Sequence, residues 1–243
     1  MSRQMSNIHF IGGEKGGVGK SVVARLCAQF LIDNAIPFVA LDADASHGAL
    51  LRHYAPYTRP IDLTEVESAD QIMSLAIESP RTVVVDLPAQ SDRLLTAWID
   101  EAEVLDLAAQ SGIGVVFWHV MDDGKDSIAT LDRLLDRTAA PARICIVKNL
   151  GRGRDFSLFD ESPARAKAVA MGAVVLEIPE LQANAMQKID RADASFWAAA
   201  RNPTFGEGLF SRLDRQRIKV WLQASYDQLA RMADTLKPRA AAS

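Results

Sequence analysis

The 243-residue chain has only two cysteines, three tyrosines and four histidines, and its aromatic content is 7%. Cys27 and Cys145 lie far apart in apolar stretches, which argues against a disulfide framework or a cysteine-ligated metal centre. They read as small buried side chains. No apolar run approaches the ~20 residues of a membrane span. Polar Met1 to Asn7 leads straight into a strand pattern and does not look like a leader. A soluble, cytoplasmic protein is therefore expected. Low-complexity tracts, internal repeats and obvious linkers are missing too. Positive charge is also scarce: 27 Lys and Arg against 31 Asp and Glu give −4, whereas nucleic-acid binders are usually basic overall. Residues 201–243 run the other way, with eight basic and four acidic side chains. Any nucleic-acid contact would have to be local.

With 49% hydrophobic and 24% charged residues, the composition is that of an ordinary globular protein, and the length suits one large domain, 1–243. Short apolar runs at 8–12, 37–43, 82–87, 114–119, 143–149 and 173–178 read as strands covered on both faces. Helical patterns at 21–34, 65–78, 92–109, 125–137 and 162–171 alternate with them. This order predicts an α/β fold, a doubly wound and mostly parallel sheet flanked by helices, with ligands at the carboxyl ends of the strands. A last helix is expected over about 208–237, its stripe of Phe210, Leu213, Ile218, Trp221, Leu222, Leu229, Met232 and Leu236 packing on the sheet. It ends in Lys237-Pro238-Arg239 with no bulky apolar residue after it, which disfavours membrane attachment.

The first strand runs into Gly12-Gly13-Glu14-Lys15-Gly16-Gly17-Val18-Gly19-Lys20-Ser21 and then an apolar helix. Strand, glycine-rich turn, Gly-Lys-Ser and helix make the setting of a phosphate-binding loop. Glycines let successive N–H groups point at phosphate oxygens, and the helix N-terminus adds partial positive charge. The loop would be lined by Gly16, Gly17, Val18, Gly19, Lys20, Ser21 and Val22. Lys20 would reach the β- and γ-phosphates, and Ser21 would ligate Mg²⁺. Glu14 stands where the usual pattern has its first glycine. Downstream, Asp42 and Asp44 sit two apart at a strand end and face one side. Asp86 closes the buried run Thr82-Val83-Val84-Val85, where Mg²⁺, through water, is the evident partner for its charge.

Lys15-Gly16-Gly17-Val18-Gly19-Lys20-Ser21 resembles the deviant Walker A motif of the ParA/MinD family of P-loop ATPases, and the resemblance extends from Ile8 to about Leu181. It implies that Lys15 is a signature lysine that crosses a dimer interface to the partner's ATP, placing charge where it grows in the transition state. It also implies an outer Mg²⁺ contact for Asp42 and a water-orienting role for Asp44. Pro88-Ala89-Gln90-Ser91 resembles the second switch. Ala45-Ser46-His47 replaces the family's usual Pro-Gln.

The strand end Lys148-Asn149-Leu150-Gly151-Arg152 lacks the Asp that guanine-specific relatives use. An Asn amide can both donate to and accept from adenine. Asn149 matches the family's adenine contact, and Pro179 its backbone strip beside the base. The reading is an ATP- and Mg²⁺-dependent homodimer that hydrolyses ATP slowly and positions cargo such as DNA. An adaptor protein that stimulates hydrolysis is implied, and nonspecific DNA contact through Arg212, Arg215, Arg217 and Lys219 is expected. Partition and plasmid mobilisation both suit the sequence. A P-loop ligase that phosphorylates a carboxylate is the alternative, although no second motif marks a substrate pocket.

Overall fold

The computed structural model describes residues 4–44, 48–138, 142–237 and 239–240. Its centre is a sheet of seven strands: β1 (Asn7–Gly12), β2 (Phe38–Asp42), β3 (Thr58–Pro60), β4 (Thr82–Asp86), β5 (Gly114–Met121), β6 (Arg143–Asn149) and β7 (Val174–Ile178). The order is β3-β2-β4-β1-β5-β6-β7, and every neighbouring pair is parallel. Helices α1 (Lys20–Asp33), α2 (Ala49–Tyr54), α3 (Val66–Ala69), α4 (Gln71–Glu78), α5 (Asp92–Glu101) and α6 (Val104–Gln110) lie in the first half. The second half adds α7 (Lys125–Arg137), α8 (Ser157–Asp160), α9 (Pro163–Ala170), α10 (Ala183–Arg191), α11 (Phe196–Arg201), α12 (Arg212–Leu229) and α13 (Ala233–Leu236).

Alternate residues of each central strand feed opposite cores. Ile8, Phe10, Val83, Val85, Val115 and Phe117 pack under α3–α6. Ile11, Val84, Val116, Trp118 and Val120 pack under α1 and α10–α13. Because both faces are covered, the period of two is hidden in a continuous apolar run. Ile144 and Ile146 of β6 join a third cluster beneath α7–α9. Cys27 and Cys145 are buried, free thiols in the second core. Among the described residues no helix is long and apolar enough to cross a membrane.

Several expected elements change. The helix over 92–109 is two helices, broken where Glu103 takes a left-handed φ of 46°. The break lets Trp98 and Val104 enter the same core. The 65–78 helix is likewise two, meeting at Asp70. The last helix starts later than expected, at a capping box of Ser211 and Asp214. It passes through a 3₁₀ turn at 230–232 into α13. Leu213 is 66% exposed and does not belong to the buried stripe, because it lies outside the arc of Ile218, Leu222 and Leu229. Edge strand β3 and helices α2, α8, α10 and α11 have no counterpart among the expected elements. Pro238 lies outside the described residues.

The chain's end is tied to the amino-terminal edge of the sheet. Asn7 Nδ2 donates to Lys237 O, Thr82 Oγ1 to Leu236 O and His9 Nε2 to Thr235 O, each at 2.9 Å. Trp118 Nε1 donates to His9 Nδ1 at 2.9 Å, which fixes the neutral tautomer. Burial pushes the His9 pKa down to about 4, although its bond to Thr235 opposes this.

Candidate functional site

The loop from Gly12 to Ser21 joins the end of central strand β1 to α1, beside the carboxyl ends of β4 and β5. Two glycines are dictated by close approach. A Cβ on Gly13 would lie 2.5 Å from Val120 O, and one on Gly19 would lie 2.2 Å from Asn149 Nδ2, both at positive φ. No side chain caps α1, and its first turn holds no acidic residue. The amino-terminal amides thus keep their capacity for an anion.

Lys20 is buried to 7% exposure and donates to Lys15 O at 3.0 Å, across the mouth of the loop. Burial lowers its pKa, and the carboxylates of Asp86, Glu14 and Asp44 oppose that. Asp42 and Asp86 are opposite one another in the register of β2 and β4. Asp42 accepts Leu51 N at 2.9 Å and Asp44 N at 3.1 Å, so part of its capacity goes to the turn and to α2. Asp86 is different. Both its oxygens are buried and lack a hydrogen-bond partner among the described residues. Burial raises its pKa to about 7, Asp42 adds to the rise, and the nearby Ser21 hydroxyl and Lys20 oppose it.

Asp44 is half-buried, two residues beyond Asp42, and its carbonyl accepts Gly48 N at 2.8 Å. Ala45, Ser46 and His47 lie outside the described residues. The second-switch candidate is tied to the loop: Gln90 N donates to Glu14 O at 3.2 Å, and Asp92 N donates to Glu14 Oε1 at 2.8 Å. Glu14 therefore holds the start of α5 against the phosphate loop.

Lys15, Lys20, Asp42, Asp44 and Asp86 come together at this end of the sheet, as do Gly16 to Val22. Lys15 turns back onto its own chain and pairs with Asp122 Oδ2 at 2.7 Å. Asn149 and Pro179 border a neighbouring cleft of ≈ 240 Å³ with Val22, Arg152, Glu180 and Trp221. Asn149 Nδ2 donates to Val18 O at 2.7 Å, and its Oδ1 accepts Gly151 N at 3.1 Å. Its amide thus braces the phosphate loop, with one N–H left over. Pro179 O already accepts Trp221 Nε1 at 2.7 Å. Glu14, Asp122 and Trp221 were missed as site residues. Only the replacement of a loop glycine signalled Glu14, and only a strand-end position signalled Asp122.

The expected basic surface on α12 is smaller than its sequence suggested. Arg212, Arg217 and Lys219 are exposed, with Asp214 3.7 Å from Arg217. Arg215 is not available: it donates to the carbonyls of Ala199 at 3.0 Å and Phe205 at 2.8 Å and stacks on Phe210.

No family model matches the chain. Protein MobD of Acidithiobacillus ferrooxidans is 28% identical over 183 residues, covering 72% of this chain and 78% of the relative. Protein TraL of Escherichia coli is 23% identical over 236 residues, covering 93% and 98%. Among solved structures, the MinD cell division protein of Aquifex aeolicus shares the fold at 12% identity, with a TM-score of 0.54 over 93% of this chain and 97% of that one. The MinC:MinD complex of the same organism matches with a TM-score of 0.53, 12% identity and coverage of 93% and 96%. The chain thus shares the fold of MinD, and its Lys15–Ser21 loop sits at the end of the central strand of that fold.

Proposed function

We propose that the chain binds Mg²⁺-ATP in this loop, hydrolyses it slowly, and uses the bound state to pair two copies of itself and position cargo. The observation that carries this reading is Asp86: a buried carboxylate with no hydrogen-bond partner among the described residues, beside the uncapped start of α1. An uncompensated buried charge is expensive, and a hydrated cation beside phosphates would relieve it. Ser21 and Asp86, with Asp42 further out, are the residues that would hold Mg²⁺, which when bound neutralises charge on the phosphate oxygens.

Lys20 places its ammonium at the phosphates of its own chain, and Lys15 supplies a second cation to those of the partner. Asp44, at the rim on the side of Asp42, orients the attacking water. Asn149 and Pro179 border the base cleft and favour adenine. A single-turnover assay with Mg²⁺-ATP tests this: Asp44→Ala should bind nucleotide and turn over at least tenfold more slowly. Hydrolysis at the parent rate would remove Asp44 from the chemistry.

Because MinD forms a complex with MinC, we also propose a protein adaptor for this chain. Arg212, Arg217 and Lys219 are the surface proposed for nonspecific duplex DNA, with affinity that appears in the paired state. Partition and mobilisation are both compatible with these features.

A further inference from the structure

Lys15 Nζ lies 2.7 Å from Asp122 Oδ2, with the lysine side chain 36% exposed and the aspartate 16%. Asp122 is fixed from its other oxygen, where Oδ1 accepts Ser127 Oγ at 2.6 Å and Gly124 N at 3.1 Å. Asp123 and Asp126 add to the negative field around the ammonium. Gly124 keeps room for the pair: a Cβ there would lie 3.1 Å from Lys15 Nζ and 3.2 Å from Asp122 Oδ1. The same lysine belongs to the motif assigned above to the partner's ATP. It cannot serve both sites at once.

We infer that Asp122 is a positioning residue that holds Lys15 inside its own protomer and so opposes ATP-driven pairing until Lys15 is released. This rests on the dimerising-switch reading. The geometry makes the contact reversible. When Lys15 leaves, Asp122 keeps two donors, Ser127 and Gly124, so no buried charge is orphaned. What is lost is one partly exposed ion pair, a small difference that ligand binding can outweigh. Lys20 bonds to the Lys15 carbonyl, so phosphates that draw Lys20 away also free the backbone carrying Lys15.

Asp122→Asn keeps an acceptor for Ser127 and Gly124 but removes the charge. Losing such a pair should favour the released lysine by about fivefold per protomer, hence about 25-fold in the dissociation constant of a symmetric dimer. Two readouts are needed, on folded protein checked by thermal melting. The first is the rate of Lys15 amine modification without nucleotide, followed by peptide mass spectrometry. It should rise severalfold in Asp122→Asn while the other lysines are unchanged. The second is the dimer dissociation constant with Mg²⁺-ATP, from sedimentation. It should fall in Asp122→Asn and stay near the parent value in Asp122→Glu, which retains the charge. Unchanged Lys15 labelling overturns the latch. Faster labelling with an unchanged dimer constant overturns its link to pairing. If neither protein pairs with ATP, the switch reading itself fails, and the labelling result alone then decides whether Lys15 is held.

Discussion

Gly19→Ala places a methyl group 2.2 Å from Asn149 Nδ2, at a backbone φ of +98°. Holding an L-residue in that region costs about 1–2 kcal/mol. The methyl also drives the Asn149 amide off Val18 O, and orphaning that acceptor costs about 1–3 kcal/mol more. The single variant should therefore lose about 2–5 kcal/mol of stability. Asn149→Ala removes the same bond, together with the one to Gly151 N, and should lose about 1–3 kcal/mol. In the double variant the collision is gone and the lost bond counts once. Its loss should fall short of the sum by about 1–3 kcal/mol. Urea unfolding of the four proteins, with slopes compared to check two-state behaviour, measures this coupling. Additivity within about 0.5 kcal/mol would refute the claim that glycine is required at 19 because Asn149 leans on the loop.

Lys20→Ala should abolish ATP binding in titration calorimetry, whereas Lys15→Ala should retain it as a monomer; equal losses would remove Lys15 from the partner's site. His9 and His119 are fully buried with pKa values pushed down to about 4, so the unfolded chain binds more protons between about pH 4 and 6.5. Stability is fully present above about pH 6.5 and declines as pH falls toward 4, by about 2 kcal/mol per histidine between pH ~7.5 and ~5. Comparing His9→Asn with the parent at both pH values should show a flatter dependence, and an unchanged slope would mean that His9 is protonated in the fold. Replacing Arg212, Arg217 and Lys219 by Ala should lower the salt slope of ATP-dependent DNA binding, by about 0.9 for each phosphate that is no longer neutralised. No mobility shift of the parent with ATP at low salt would exclude the DNA surface.

The sheet was legible because both faces of β1, β4 and β5 are buried, so the strands appear as unbroken apolar runs between helical patterns. The phosphate loop was legible because its glycines, lysine and serine meet a local geometric need. Other features escaped for physical reasons. Strand β3 has three residues at the sheet edge, one of them Pro60, too few to show a period. Glu14, Asp122 and Trp221 act through partners 78, 107 and 42 positions away, which no local pattern reveals. Arg215 looked like a surface cation, yet its guanidinium caps carbonyls of α11 and the loop after it, and only the fold brings these to it. The helix over 92–109 failed at Glu103 because its apolar pattern continues across a break that side-chain spacing does not mark.

On the proposed switch, nucleotide state decides whether two copies pair. Light scattering on the Asp44→Ala protein, with Mg²⁺-ADP and then with Mg²⁺-ATP, reads this out. The expected result is the monomer mass with ADP and twice that mass with ATP. The monomer mass in both, with ATP shown to be bound, would contradict it.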